Sequence, residues 1–264
     1  DSYVDALRKN CVYACPDERK NMIIETAKQA AAKIGATVAL DEDLVDEVSN
    51  LTEYPIPAVC SFDEKYLNIP EKVNVTVMAT HQRYFPLYKD GKLLNKFITM
   101  TNYVGNEFEN IKAGNERVVV ARLEDGLFFF EQDTKTPLAD KENDLKGVTF
   151  QKGMGTMFDK TERIEKLSKH IADELGVDDT DILRTAKLCK CDLVTKLVFE
   201  FTELQGFIGG DYARISGEKP NVAKGITEHY FPLGTDSELA SSIECQVVDI
   251  ADKIDTVCAV FLDG

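Results

Sequence analysis

The sequence is short of histidine. His81, His170 and His229 are the only three in 264 residues, so a histidine-built metal or hydrolytic centre has little to draw on. It is also short of positive charge. Lys and Arg total 31 against 46 Asp and Glu, a formal net charge of −15. That excludes a grip on nucleic acid by overall charge, because neutralising phosphates needs Lys and Arg. The deficit is even, with −7 over residues 1–150 and −8 over residues 151–264. No run approaches the ~20 apolar residues of a membrane helix. The first residues, Asp-Ser-Tyr-Val-Asp-Ala-Leu-Arg, lack both an initiator Met and the basic-then-apolar order of a signal peptide. The last ones, Val-Cys-Ala-Val-Phe-Leu-Asp-Gly, stop inside an apolar run. Both ends have the look of cuts, and the expectation is an internal fragment of a longer, cytoplasmic protein.

Seven cysteines stand at 11, 15, 60, 189, 191, 245 and 258. The odd number and irregular spacing argue against a disulfide framework and fit a reducing compartment. Cys11-x3-Cys15 and Cys189-x-Cys191 have no nearby histidine, so a thiolate metal site is not expected and buried free thiols are.

What is present is a soluble globular balance, 44% hydrophobic and 29% charged, with a change of character near residue 150. Residues 17–35 read as a helix, with Ile23, Ile24, Ala27, Ala30, Ala31 and Ile34 in a stripe and Gly35 as its stop. A second helix fits 41–52, with Leu44, Val45, Val48 and Leu51 on one face. Four β-branched and aromatic runs follow, at 58–62, 73–79, 84–88 and 96–103, and Asp90-Gly91 is a hairpin turn. A helical connection is expected over 106–145, with 111–130 as one long helix and 127–130 buried. Beyond 151, helices are expected at 159–176, 181–201, 219–230 and 243–262, with Gly- or Pro-containing breaks at 206–210, 217–220 and 232–234. The fold class is therefore α+β: a mixed α/β region over 1–150 with a small sheet over about 56–103, then an all-helical domain over 151–264.

Several clusters could carry function. His81-Gln82-Arg83-Tyr84 leads into a strand and could meet a phosphate or a base. Arg117 and Arg122 could hold a phosphate backbone or pair internally with Glu116 and Asp125. Residues 72–122 hold eight Lys/Arg against four Asp/Glu, a basic stretch in an acidic chain. Gly153-Met154-Gly155 precedes a helix and could seat an anion, though it is not a Walker A loop. Asp192 lies on an apolar segment and needs a partner.

In order along the chain come Arg83-Tyr84-Phe85-Pro86, Gly114-Asn115-Glu116-Arg117-Val118-Val119, Arg122-Leu123-x-Asp125-x-x-Phe128-Phe129 and Gly155-Thr156-x-x-Asp159-Lys160-x-x-Arg163. They continue with Lys190-Cys191-Asp192-Leu193-x-Thr195, Glu203-Leu204-Gln205-Gly206, Tyr212-Ala213, Glu228-His229-Tyr230-x-Pro232 and Ala251-Asp252-Lys253-Ile254-Asp255-Thr256. Together these strings resemble the β subunit of the bacterial heterotetrameric glycyl-tRNA synthetase, over nearly the whole chain. The resemblance implies an α2β2 aminoacyl-tRNA ligase that joins glycine to tRNA(Gly) using ATP and Mg. Adenylation falls to the separate α subunit, and no cofactor is bound by this fragment. It also implies a region similar to the β subunit of phenylalanyl-tRNA synthetase, followed by a domain similar to the HD (histidine–aspartate) phosphohydrolases. The basic stretch at 72–122 supplies the expected tRNA-binding residues, Arg83, Lys112, Arg117 and Arg122.

An active HD centre gathers a His, a His-Asp pair and a final Asp around a metal. Here Cys191-Asp192 stands in place of His-Asp, and no His falls near Lys160 to Arg163. The expectation is a degenerate site of Cys191, Asp192, His229 and Asp252, with no catalytic residue and no metal. Asp192 and Asp252 would be structural, paired with Arg163 or Lys253. The alternatives are an active metal-dependent HD-type phosphohydrolase and an assembly scaffold without RNA contact. For editing of mischarged tRNA, no residue set in 56–150 resembles a hydrolytic centre.

Overall fold

The computed structural model describes residues 2–105 and 108–263. Two compact units result, Asp1–Leu127 and Phe128–Gly264, dividing ahead of the composition shift near 150.

In the first unit, α1 (Tyr3–Lys9), α2 (Pro16–Ala32), β1 (Thr37–Val38), α3 (Glu42–Leu51) and β2 (Ile56–Ser61) lead to α4 (Glu71–Val75). The hairpin β3 (Phe85–Lys89) and β4 (Lys92–Thr101) follows, and then the long helix α5 (Phe108–Asp133), whose residues from 128 onward belong to the second unit. The four strands form an antiparallel sheet in the order β1-β3-β4-β2. Asp90 and Gly91 close the hairpin with φ of 50° and 75°, the left-handed pair that a two-residue turn of matching twist needs. Ile23, Ala27 and Ala31 of α2 and Leu44, Val45 and Val48 of α3 pack on Phe85, Leu87 and Ile98 of the sheet. Ile34 and Leu51, expected on those stripes, stay exposed at the helix ends.

One expected strand is a helix. Residues 73–79 continue α4 into a wider helical turn, Thr76–His81. The β-branched run Val73-x-Val75-Thr76-Val77 favours a strand by propensity. Burial falls instead on Val73, Asn74, Thr76, Val77 and Met78, positions related by helical three- and four-residue steps, and the Asn74 amide donates to the Tyr66 carbonyl at 3.0 Å.

The second unit is helical: α6 (Met157–Leu175), α7 (Thr180–Leu188), α8 (Lys196–Glu200), α9 (Phe207–Ile215), α10 (Pro220–Glu228) and α11 (Ile243–Asp263). The helix expected over 181–201 is broken. A 3-10 turn at Cys191–Val194 separates α7 from α8, whose N-terminus is capped by Thr195. Asp133 also receives the Lys196 and Leu197 amides, at 3.1 and 2.9 Å, and the Tyr212 hydroxyl at 3.1 Å. Phe128 is 52% exposed, against the expectation for 127–130. Four consecutive helical residues point all round the axis, so they cannot share one core.

The glycines at 206–210 open a helix rather than breaking one. Gly206 (φ 81°) precedes α9, and Gly209 and Gly210 let α9 press on its neighbours. A Cβ at Gly210 would stand 2.0 Å from Thr227 Oγ1 and 2.8 Å from the Ala223 carbonyl oxygen. Gly210→Ala is expected to destabilise by about 1–3 kcal/mol despite alanine's better helix propensity. An unchanged urea midpoint would contradict that packing.

Candidate functional site

The polar centre of the second unit is assembled from four elements. α6 carries Lys160 and Arg163, the segment after α7 carries Lys190, the end of α10 carries His229 and Tyr230, and α11 carries Asp252, Asp255 and Thr256. α6 begins with a capping box. The Asp159 carboxylate accepts the Thr156 amide at 2.6 Å and its hydroxyl at 2.8 Å. The anion seat read from Gly153-Met154-Gly155 is thus filled by the chain's own carboxylate.

Lys160 and Lys190 are each only 3% exposed by side chain. Lys190 Nζ donates to Asp252 Oδ2 at 2.6 Å and to His229 Nε2 at 2.9 Å, and lies 3.8 Å from the centre of the Tyr230 ring. Its three protons have three receivers. Lys160 Nζ donates to Asp255 Oδ2 at 3.0 Å and Thr256 Oγ1 at 2.8 Å, and sits 4.4 Å over the Phe150 ring. It also lies 2.8 Å from Asp252 Oδ1, a contact that is ionic rather than well angled for a hydrogen bond. Arg163 grips Asp255 with Nε at 2.5 Å and Nη2 at 3.2 Å. Three cations therefore face two carboxylates.

His229 is fully buried. Its Nδ1 lies 2.6 Å from the Ile226 carbonyl, which can only accept, so Nδ1 carries the proton and the Nε2 lone pair receives Lys190. Burial, reinforced by the Lys190 charge, pushes the imidazole down to about 3. Burial alone would raise the Asp252 carboxyl, but the ammoniums of Lys190 and Lys160 outweigh it and hold the group down at about 2.

Of the four expected HD-like residues, His229 and Asp252 come together, with an ammonium between them. Asp192 stands apart. Its Oδ2 accepts the Gly206 amide at 2.6 Å and Oδ1 has no hydrogen-bond partner, and burial pushes its carboxyl up to about 6. Cys191 Sγ turns to the Lys187 carbonyl at 3.8 Å, and burial raises its thiol far above the ordinary range. The expected partners also change. Asp252 pairs with Lys160 and Lys190, Arg163 serves Asp255, and Lys253 serves Asp249 and the Phe231 carbonyl.

A catalytic metal needs lone pairs converging on one point. The point shared by Asp252 Oδ2 and His229 Nε2 is taken by the Lys190 ammonium, which would repel a divalent cation. The described residues contain no group of three or more His, Cys, Asp or Glu able to hold a metal ion. These residues do not fit the metal of an HD hydrolase, and no hydrolytic step can be built on them. A cleft of about 570 Å³, lined by Phe150, Lys160, Lys190, Gln205, His229 and Tyr230 among others, opens onto the network. Sequence reasoning does not single out Lys160 and Lys190 as site residues, although it holds a signal for the first. Lys160 falls in phase with Met157, Ile164 and Ser168 on the buried face of α6, a charge at a core position.

In the first unit, the expected tRNA-binding residues do not form one patch. Arg83 adopts a left-handed φ of 58° and folds back on its own turn, reaching the His81 carbonyl at 3.2 Å and Glu47 Oε1 at 2.7 Å. Lys112, Arg117 and Arg122 all lie on α5, five residues apart, so successive members are turned by about 140°. Lys112 and Arg122 lie about 80° apart, with Arg117 on the far side. Lys112 meets Glu109 at 3.3 Å. Arg117 and Arg122 are exposed. The polar residues around them hold the helix in place. Glu116 Oε1 accepts the Ser61 amide at 2.8 Å, Asn115 Oδ1 accepts the Tyr84 hydroxyl at 2.5 Å, and Glu124 Oε2 accepts the Tyr66 hydroxyl at 2.5 Å. A hollow of about 720 Å³ beside α2, β1 and α3 contains none of the expected site residues.

These features define a mixed α+β chain whose helical unit is centred on a buried network of three cations and two carboxylates. The sequence model of the family described as Glycyl-tRNA synthetase beta subunit matches residues 1–264. The chain belongs to that family. It is 44% identical to the glycine–tRNA ligase beta subunit of Clostridioides difficile, over 100% of this chain and 39% of the relative. It is 45% identical to that of Gloeothece citriformis, over 98% of this chain and 38% of the relative. For Streptococcus agalactiae the identity is 43%, over 100% and 39%. The chain thus spans about two fifths of the curated relatives it matches. No described helix is long and apolar enough to cross a membrane.

Proposed function

We propose that this chain is the part of a glycine–tRNA ligase β subunit that supports assembly and contributes to tRNA(Gly) recognition. Adenylation then falls to a separate α subunit, in a cytoplasmic α2β2 enzyme that uses ATP and Mg. The observation that carries this reading is the family match over residues 1–264. On the same reading the second unit is an HD-like domain that serves as a scaffold without a catalytic metal. The ammoniums of Lys160 and Lys190 on Asp252 support this.

The acidity of the chain confines RNA contact to local cations, and of the expected ones Arg117 and Arg122, both on α5, are exposed. The test is charge reversal in the full α2β2 enzyme: Lys112→Glu with Arg122→Glu on one side of α5, Arg117→Glu on the other. A duplex lying along one side of the helix touches one set only. Reversal of that set should weaken tRNA(Gly) binding and lower the log–log salt slope by about one for each phosphate that is no longer neutralised. Unchanged affinity and slope in both variants would remove α5 from the interface.

A further inference from the structure

α11 has one face that the second unit uses and one that it leaves bare. Cys245, Val248, Ala251 and Ala259 are buried on the inner face, and Asp252 and Asp255 anchor the lysine network there. On the outer face, Ile250, Ile254, Val257 and Phe261 recur at three- and four-residue steps, 45%, 43%, 53% and 83% exposed. They fall within one narrow stripe of the helix. Val260, 59% exposed, flanks it. From 254 to 262 the sole charged residue is Asp255, and it is buried. In a chain with 29% charged residues, more than two helical turns present no charge to solvent. A helix that is apolar all round is a buried helix.

We propose that this outer face of α11 is a docking surface for another segment of the same polypeptide, from the part of the longer β subunit that lies outside these 264 residues. The matched relatives are more than twice this length, since the chain covers 39% of the Clostridioides difficile subunit. That additional polypeptide has to pack against something. The stripe has the composition of a domain core cut in half, and the cation beside it, Lys253, is committed to Asp249 and the Phe231 carbonyl, so the face offers little to a phosphate backbone. The occupant is an aliphatic and aromatic surface of the same subunit.

Cys258, exposed on α11 beside Val257, is a built-in reporter. The experiment measures maleimide labelling of Cys258 in the full-length β subunit, against the rate in denaturant. The expected result is labelling slowed at least tenfold in the isolated folded subunit, at all subunit concentrations. Phe261→Asp, by breaking the docking, should restore it. Circular dichroism and the persistence of slow labelling at buried Cys189 show whether that variant is folded. Protection that appears only when α subunit is added would assign the face to the partner chain and overturn the proposal. Protection that grows with β-subunit concentration would assign it to a second copy, with the same consequence. Rapid labelling in both the isolated subunit and the α2β2 enzyme would show the face to be open and also overturn it.

Discussion

Asp252→Asn is expected to destabilise the second unit by about 3–5 kcal/mol, the cost of breaking a buried ion pair by removing one partner. The substitution keeps the shape of the side chain and removes its charge. Lys160 retains Asp255 at 3.0 Å. Lys190, whose carboxylate partner is Asp252, would be left as a buried ammonium facing a neutral imidazole. Urea denaturation of the wild type and variant measures the difference. The sharper result comes from a second variant. Lys190→Met combined with Asp252→Asn removes both charges, and replacing a buried pair by neutral groups of similar volume is often close to neutral. The double variant should therefore be more stable than Asp252→Asn alone, a coupling that a double-mutant cycle isolates. A metal-dependent centre would behave differently, because its stability would fall on addition of a chelator. This network should melt identically with and without EDTA. A loss below about 1 kcal/mol for Asp252→Asn would mean that the ion pair is not part of what holds the helices together.

The parts of this architecture that are legible in the sequence are those governed by short-range rules. The hairpin at Asp90-Gly91 is legible because only residues that tolerate positive φ close a two-residue turn. The helices α2, α3, α6 and α10 show their apolar stripes, and α2 and α10 also the proline that opens them. Residues 73–79 mislead because β-branching is only a weak preference, and the contact that decides the matter, Asn74 to the Tyr66 carbonyl, lies outside any local window. α9 is hidden because glycine marks a break in isolation. The Cβ clash that requires glycine at 210 comes from α10, which periodicity does not place. The site divides in the same way. His229 and Asp252 stand out in the sequence as members of one cluster, and the structure does bring them together. The two lysines that define its chemistry do not stand out, because a lysine in an amphipathic helix normally belongs to the solvated face. Arg117 and Arg122 look like a pair in the string, but a separation of five residues turns them away from each other once the segment is one continuous helix.

The pH dependence of stability should separate two buried groups that act in opposite directions. His229 is held down at about 3, by burial first and then by Lys190, whereas an unfolded histidine titrates near ~6.5. Its neutral form stabilises the fold fully above pH ~6.5. As the pH falls towards 3 the unfolded chain takes up a proton that the folded chain refuses, and stability is lost at up to about 1.4 kcal/mol per pH unit. Asp192 is pushed up to about 6 by burial, against about 3.9 when unfolded. The cost of ionising it in the fold is present above pH ~6 and is relieved as the pH falls towards ~3.9. Between pH ~6 and ~4 the two contributions nearly cancel, so the wild type conceals both and single variants expose them. His229→Gln can still accept from Lys190 and donate to the Ile226 carbonyl, but it does not titrate. Relative to wild type it should gain about 3 kcal/mol on going from pH 7 to pH 4. Asp192→Asn, which removes the acid that is relieved by protonation, should lose a similar amount over the same interval. Chemical denaturation of the three proteins at pH 7, 5.5 and 4 provides the comparison, and the remaining titrating groups cancel in the differences. Asp252, held at about 2 by its lysines, contributes in the same direction as His229 but only below pH ~4, outside this window. Divergence of the two variants with acidification is the signature of a neutral histidine and a neutralising aspartate buried in one helical unit. Parallel or flat differences would place at least one of them in contact with water.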